Sequence, residues 1–123
     1  MTSTFDIIWL AGFLEGEGSF LRDKKGCVTI KAESTDEDVI HRAARIMDAP
    51  VYHSTYNSAQ NPKWNSTLRF SVHGNRAAGW MMTLYNQLGQ RRRSRISKVL
   101  GEWRKAETKS RQPRRQAHYG GGR

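Results

Sequence analysis

A short apolar segment with two interior glycines constrains this chain more than any other feature. It runs from Trp9 to Phe20 as WLAGFLEGEGSF, with Gly12 and Gly16 one helical turn apart. A glycine inside a helix costs about 0.5–1 kcal/mol relative to alanine, so the pair needs a compensating contact. Small residues at this spacing allow a second backbone to approach closely. The pattern predicts a helix that packs against another helix and brings carboxylates to one point.

A helical wheel over residues 5–16 has two apolar faces, whereas a surface helix of a monomer needs only one. One face consists of Ile7, Leu10, Ala11 and Leu14. The other face consists of Phe5, Ile8, Trp9, Gly12 and Gly16. The second face indicates either an interface between two copies or a helix buried in the centre of its own domain.

The charge composition indicates which class of molecule this protein binds. The chain has 123 residues, enough for one domain, and its 21 Lys and Arg exceed its 11 Asp and Glu to give a net charge of +10. This excess favours a polyanionic partner, with nucleic acid as the default, although ribosomal and membrane-surface proteins share the bias. The single cysteine, Cys27, excludes an intrachain disulfide. One thiol and four scattered histidines disfavour a structural zinc site.

The apolar N-terminal segment is not expected to be a targeting or membrane segment. Residues 5–14 are too few to span a bilayer, and no basic residue precedes them. Glu15 follows at once, which is unlike a signal peptide. We therefore expect a soluble intracellular protein without a membrane partner.

After Gly18 the hydrophobic period changes to two, which indicates strands. The predicted strands are Ser19–Asp23, Cys27–Glu33, Val51–Tyr56 and Trp64–Val72. A helix to about Met47 is expected after a capping box from Ser34 to Glu37, and two more helices follow Gly74 and Gly89. The order α-ββ-α-ββ-α-α predicts an α+β domain with a four-stranded antiparallel sheet backed by helices. It covers residues 1–107, and residues 108–123 read as a basic, disordered tail.

Positive charge is concentrated near the predicted last helix. Residues 91–115 hold eleven of the 21 basic side chains, and Arg91 to Arg95 form the densest run. Such a run is often only a solvated helix face. Its position beside a polar sheet face favours contacts with backbone phosphates.

The segment LAGFLEGEG at residues 10–18 closely resembles the signature of the LAGLIDADG homing endonuclease family. Glutamate stands where the family name has aspartate, and Ser19 and Phe20 follow as they often do. The resemblance covers about residues 5–104. It implies a saddle-shaped sheet over the DNA major groove, with signature helices packed at an interface between two such units. Because only one motif occurs, it also implies a homodimer on a near-palindromic site. The implied interface residues are Trp9, Gly12, Phe13 and Gly16.

The resemblance further implies a divalent metal site for double-strand cleavage. Glu17 is the implied metal ligand, with the Gly16 carbonyl as a second ligand, and such hard oxygen donors suit Mg²⁺, with Mn²⁺ tolerated. No other cofactor is expected. The other implied catalytic residues are a polar residue at the end of the second strand, which is Ser34 or its neighbours Glu33 and Asp38, and Arg92 near the start of the last helix. Arg91 and Arg93 compete for the role of Arg92, and Glu15 is interpreted as bracing the helix end.

The polar face of the sheet and the basic run supply candidate DNA contacts. Arginine and lysine suit guanine, and acids accept hydrogen bonds from cytosine. The candidates are Asp23, Thr29, Lys31, Glu33, Tyr52, Ser54, Arg69, Ser71, Arg91 and Arg93, with Leu21 and Tyr56 on the same predicted face.

A site-specific double-strand DNA endonuclease is the favoured hypothesis. It would belong to a mobile element and act in the cytoplasm or nucleoid of a prokaryotic or phage-infected cell, or in an organelle matrix. The alternative on the same fold is a DNA-binding regulator or RNA maturase that has lost cleavage. A basic RNA-binding or ribosomal protein is a second alternative, but it leaves the two-faced glycine helix unexplained.

Overall fold

A computed structural model describes residues 2–53 and 67–122, with side chains as far as Thr108. The helices are α1 (Thr4–Glu17), α2 (Glu37–Met47), α3 (Gly74–Leu84) and α4 (Gln90–Gly122), with a 3-10 turn at Tyr85–Gln87. The strands are β1 (Gly18–Arg22), β2 (Val28–Ser34), β3 (Tyr52–His53) and β4 (Leu68–His73). They form one antiparallel sheet in the order β1-β2-β4-β3. The predicted α+β class and element order are confirmed.

The first helix is bounded by local signals that the sequence carries. Ser3 and Asp6 form a capping box, in which the Ser3 Oγ accepts from Asp6 N at 3.1 Å and the Asp6 carboxylate accepts from Ser3 N at 3.2 Å. At the other end the Gly18 amide donates to the Leu14 carbonyl as the backbone becomes extended. A Cβ at Gly18 would lie 2.8 Å from that carbonyl oxygen, so this close turn requires glycine.

The core lies between the helices and one face of the sheet. The strands alternate as predicted, and their inward residues are Val28, Ile30, Ala32, Leu68, Phe70 and Val72. Leu10, Ala11 and Leu14 of α1 are buried against this layer. The predicted inner residues Ile40, Ala43, Ala44 and Met47 of α2 are buried too. The core therefore fixes which sheet face remains open.

The predicted capping box between Ser34 and Glu37 is wrong. Ser34 is the last residue of β2, paired with Leu68, and its Oγ accepts a hydrogen bond from the Asp36 amide at 3.0 Å. Asp36 is the N-cap of α2 and makes no side-chain capping bond. The strand ladder continues one residue beyond the sequence prediction and takes Ser34 into the sheet.

The last helix extends further than its composition indicates. Its backbone is helical through Gly122, whereas the composition predicts disorder from Thr108. Arg, Lys, Gln and Glu make up 10 of the 20 residues after Trp103 and are good helix formers, whereas Pro113 and the glycines at 120–122 in the same segment disfavour a helix. Its buried core contacts come from Ile96 and Val99. The division into a 1–107 domain and a 108–123 tail stays a prediction. Among the described residues, no helix combines the length and apolar character needed to cross a membrane.

Candidate functional site

Cross-strand register arranges the outer face of the sheet into rows of polar side chains. Ser19, Lys31 and Ser71 occupy one row across β1, β2 and β4. Glu33, Arg69 and Tyr52 occupy the next row across β2, β4 and β3. Lys31, Glu33, Arg69 and Tyr52 are exposed. The structure thus brings most of the predicted polar-face residues together on one accessible surface, which we call the outer sheet face.

Glu17 lies where the first helix meets this face. It is the last residue of α1, and Gly18 directly after it pairs with Ala32 of β2. An open pocket of about 520 Å³ brings Glu17 together with charged residues of the sheet and of α4. The charged lining residues are Glu17, Lys31, Glu33, Arg69 and Arg92. Two exposed carboxylates and several cations therefore surround one cleft.

Arg92 holds the end of α1 in place. Its guanidinium donates to the Glu15 carbonyl through Nε at 3.1 Å and Nη2 at 2.9 Å, and to the Gly18 carbonyl through Nη1 at 2.6 Å. These carbonyls lie at the helix end, where intrahelical partners run out. The side chain of Arg92 is only 15% exposed. Its observed contacts are those of a positioning residue for Glu17, and its predicted catalytic role stays a prediction.

The neighbouring arginines have different surroundings. Arg95 donates to the Phe20 carbonyl at 2.8 Å, so Arg92 and Arg95 together occupy alternate carbonyls on the outer edge of β1. This covers an edge that could otherwise pair with another strand. Arg93 donates to the Leu88 carbonyl at 2.5 Å and is half-buried. Arg91 is exposed and has no hydrogen bond or ion pair within the described part of the chain, so it is the arginine of this run most accessible to a polyanion.

Three predicted site residues have other surroundings than expected. Thr29 is fully buried, so the expectation of an exposed DNA contact is wrong; its hydroxyl bonds the Cys27 carbonyl and His73 Nδ1, each at 3.2 Å. Ser34 shares the inward parity of β2 and bonds the Asp36 amide, away from the Glu17 pocket. Asp23 lies in the β1–β2 turn rather than in a strand. The predicted contact Ser54, and Tyr56 on the same predicted face, lie outside the described residues.

Asp23 organises that turn through its carboxylate. One oxygen, Oδ1, accepts from the Cys27 amide at 2.8 Å and from the Lys25 amide at 2.9 Å. The hydrogen bond from Cys27 N is the largest influence on this carboxyl and lowers its pKa below the ordinary value, desolvation opposes it, and the hydrogen bond from the Lys25 amide adds to the lowering. Gly26 completes the turn with a φ of +86°.

The second apolar face of α1 is open to solvent. Phe5 is 82% and Ile8 is 51% exposed, and among the described residues no atom outside the local helix backbone lies within 4 Å of where a Cβ would stand at Gly12 or Gly16. Burial of this face inside its own domain, one of the two sequence interpretations, is therefore wrong. Beside it, Trp9 stacks on Phe13 with ring centroids 5.7 Å apart, and Arg42 lies over the Trp9 ring at 4.1 Å.

The fold of the chain is similar to those of solved homing endonuclease structures. One is I-CvuI in complex with its target in the presence of calcium, with a TM-score of 0.62 and 17% identity over 82% of this chain and 67% of that one. The group I intron-encoded I-CeuI complexed with DNA has a TM-score of 0.65 and 15% identity over 95% of this chain and 62% of that one.

A further match is I-CvuI with the I-CreI target in the presence of magnesium, its DNA not cleaved, with a TM-score of 0.56 and 16% identity over 79% of this chain and 64% of that one. The chain thus spans about two thirds of the length of these proteins. No family model and no curated protein matches the sequence. The chain has the fold of the LAGLIDADG homing endonucleases, in agreement with the resemblance carried by its first helix.

Proposed function

We propose that this protein is a site-specific DNA endonuclease that cleaves both strands of a near-palindromic site as a homodimer. One observation carries the proposal. The helix with the open glycine face ends at Glu17, and Glu17 shares a pocket with the charged residues of the outer sheet face. A surface for self-association, a surface for a polyanion and a carboxylate for chemistry therefore converge at one end of one helix.

The pocket residues fit a hard divalent cation. Glu17 and Glu33 line the pocket with exposed carboxylates. Gly16 also lines it, next to Glu15, whose carbonyl accepts a hydrogen bond from Arg92. Carboxylate and carbonyl oxygens are the ligands that Mg²⁺ prefers. Glu17 and the Gly16 carbonyl would hold the ion, which when bound activates water and neutralises charge on the leaving oxygen. Arg92 and Glu15 keep the helix end fixed for this task.

The outer sheet face suits double-stranded DNA. Lys31 and Arg69 project from neighbouring strands in adjacent rows, and exposed Arg91 lies at the start of α4. Long basic side chains on a sheet surface can reach guanine edges, whereas the net charge of +10 supports sequence-independent phosphate contacts. The DNA complexes of the solved homing endonucleases support the same assignment.

The open face of α1 supports the homodimer. Pairing this face with its copy about a two-fold axis would cover Phe5 and Ile8, and the absence of side chains at Gly12 and Gly16 would let the backbones approach. The two Glu17 residues would then lie on either side of the axis, as cleavage of two strands requires.

A randomised duplex library allows cleavage to be tested on any target sequence. We would incubate the protein with the library and Mg²⁺, sequence the cut molecules, and then assay the recovered site in a plasmid. We expect cutting of both strands by the wild type and loss of cutting in Glu17→Gln, with DNA affinity kept within about tenfold. Glu37→Gln, an exposed acid on α2, is the matched control and should cut normally.

The outcomes separate the competing functions. Enrichment of a duplex site without cutting in Mg²⁺ or Mn²⁺ would reject the endonuclease and favour a DNA-binding regulator on this fold. Preference for RNA over duplex DNA would favour a maturase. Normal turnover by Glu17→Gln would remove Glu17 from the metal site.

A further inference from the structure

We infer that Asp23, Cys27 and His73 form a binding site for one Zn²⁺ ion. The β1–β2 turn supplies Asp23 and Cys27, and the end of β4 supplies His73. One potential ligand atom from each residue lies within 4.8 Å of the others. The site is at the opposite end of the β1–β2 ladder from Glu17, since Gly18 pairs with Ala32 at one end and Arg22 with Val28 at the other. It is therefore separate from the proposed cleavage site.

The carboxylate of Asp23 has one oxygen committed and one available. Both backbone hydrogen bonds that shape the turn, from Lys25 N and Cys27 N, go to Oδ1. Within the described residues Oδ2 accepts no hydrogen bond. The turn therefore fixes the orientation of the Asp23 carboxylate and leaves its Oδ2 free to bind a metal ion.

The hydrogen bonds around His73 leave its outer nitrogen unprotonated. Buried Thr29 has one hydroxyl proton, which it donates to the Cys27 carbonyl at 3.2 Å. Its oxygen must then accept from His73 Nδ1, also at 3.2 Å. Neutral His73 carries its proton on Nδ1, so Nε2 has a free lone pair that accepts from the Ser71 hydroxyl at 3.0 Å. In the proposed site Nε2 is the metal ligand, and a bound ion would displace the hydrogen bond from Ser71, whose hydroxyl keeps its proton.

This arrangement is the one that metal-binding histidines use. Their second ring nitrogen donates to an oxygen that fixes the tautomer and the ring orientation. Here Thr29 supplies that oxygen and is itself anchored on the Cys27 backbone. The buried hydroxyl, unsuited to contact DNA, thereby acquires a role as a positioning residue.

The donor set selects Zn²⁺ over Mg²⁺. A thiolate, an imidazole and a carboxylate are ordinary zinc ligands, and a thiolate is a poor ligand for magnesium. Cys27 is half-buried, and among the described residues its Sγ makes one hydrogen bond, a weak contact with the Val28 carbonyl at 3.6 Å. On binding, the S–H bond breaks, the proton passes to solvent and an S–Zn bond forms. Two anionic ligands balance the charge of the ion, and water completes the tetrahedron.

Small movements complete the geometry. Metal–ligand bonds of about 2.0–2.3 Å place the ligands of a tetrahedral zinc about 3.3–3.8 Å apart. One potential ligand atom of each residue already lies within 4.8 Å of the others, so the set reaches zinc distances by movements of about 1.5 Å together with adjustment of the His73 ring. All three side chains belong to a turn and a strand end, where rotamers can adjust. Binding would tie the turn that carries Lys24 and Lys25 to β4.

The test uses the full-length protein without DNA. Metal-free protein would be titrated with Zn²⁺ against a chromophoric chelator, and the stoichiometry read by native mass spectrometry. We expect one ion per chain and at least about a hundredfold weaker binding in Cys27→Ser and in His73→Gln. Thr29→Val, which removes only the positioning hydroxyl, should weaken binding about 10–100-fold. His53→Gln, an exposed histidine on β3, is the matched control and should bind as the wild type does.

Cobalt provides a readout that does not depend on variants folding. Co²⁺ bound by wild-type protein should show the ligand-to-metal charge-transfer absorption of a thiolate, because Cys27 is the only cysteine. Absence of that band, a stoichiometry of zero, or zinc affinity equal in wild type and Cys27→Ser would overturn the inference. Glu17→Gln should bind Zn²⁺ normally, so the result is independent of the endonuclease proposal.

Discussion

The carboxylate of Glu15 accepts a hydrogen bond from the backbone amide of Gly89 at 2.7 Å, linking the end of α1 to the residue preceding α4 across 74 positions of sequence. Arg92 in the first turn of α4 returns the interaction by donating to the Glu15 carbonyl at 2.9 Å. Each helix thus satisfies unpaired groups at the end of the other. The negative charge of Glu15 lies near the positive N-terminal end of the α4 dipole, and the positive charge of Arg92 lies near the negative C-terminal end of the α1 dipole. Both placements are stabilising. The last turn before Glu17 is therefore fixed from outside its own helix.

Replacing Glu15 tests the contribution of this link to stability. Glu15→Ala should lower the free energy of unfolding by about 1 kcal/mol, because the amide at the start of α4 loses its acceptor. Glu15→Gln keeps an acceptor oxygen and should lose less. Urea denaturation would measure both, with exposed Glu102→Ala on α4 as control. Equal stability of Glu15→Ala and the control would contradict the link.

Substitution of Arg92 should mainly lower stability, whereas substitution of Arg91 should mainly lower DNA affinity. Arg92→Ala removes the donors of three hydrogen bonds to the Glu15 and Gly18 carbonyls, so unfolding should become easier by at least about 2 kcal/mol. Arg92→Lys should restore little, since an ammonium cannot reproduce the fork. Arg91→Ala should change stability by less than about 0.5 kcal/mol and weaken DNA binding. Thermal unfolding and fluorescence anisotropy on duplex DNA would separate the two roles, and the reverse ranking would refute them.

Two substitutions at Gly12 separate helix propensity from association. Nothing obstructs a Cβ at this position, so Gly12→Ala should raise the intrinsic stability of the helix by roughly 0.5–1 kcal/mol. Gly12→Leu should keep the fold and shift the proposed dimer to monomer, because its side chain occupies the space needed by the partner backbone. Sedimentation equilibrium would report the association. Gly79→Leu, at another open helical glycine, is the control. An unchanged dimer in Gly12→Leu would exclude this face as the interface.

Asp23 predicts an acid-dependent contribution to stability. Its pKa is depressed in the folded state, so its stabilising effect is present above the ordinary value of 3.8 and is lost as the pH falls through the lower folded value. Wild type should therefore be more stable than Asp23→Asn at neutral pH, and the difference should shrink on acidification below 3.8. Denaturation curves across this range would measure it. A difference that grows in acid would have the wrong sign.

Deletion of residues 108–123 tests the basic tail. The segment contains five Lys and Arg side chains, so its loss should weaken binding to all duplexes and reduce the dependence of affinity on salt. Affinity measured at several salt concentrations gives the slope. An unchanged slope would show that the tail makes no phosphate contact.

Local signals in the chain predicted the element order correctly. The change of hydrophobic period after Gly18 marks the passage from helix to strand, and the alternation of Val28, Ile30 and Ala32 identifies the inner sheet face. These features depend on neighbours within a few residues, so pattern and turn chemistry suffice to read them. The two apolar faces of α1 were predictable for the same reason, whereas the exposure of the second face was only one of two interpretations that the sequence left open.

The roles of individual polar side chains required the tertiary structure. The sequence alone does not distinguish the roles of Arg91, Arg92 and Arg93. Thr29 stands between the core residues Val28 and Ile30, a position that predicts an exposed side chain on the other sheet face. Only the packing of α4 on the edge of β1 shows that Arg92 donates to the Glu15 and Gly18 carbonyls and that Arg91 remains exposed. Only the pairing of β2 with β4 places His73 against Thr29 and beside Cys27.

The sequence by itself determined the fold class, the two-faced helix and the carboxylate at its end, because periodicity and glycine placement act locally. The tertiary structure decided which cations are free, which hydroxyl is buried and which three ligands meet at the far end of the sheet. The physical reason is that the role of a polar group depends on its hydrogen-bond partner, and the deciding partners of Thr29 and Arg92 lie 44 and 77 residues away along the chain.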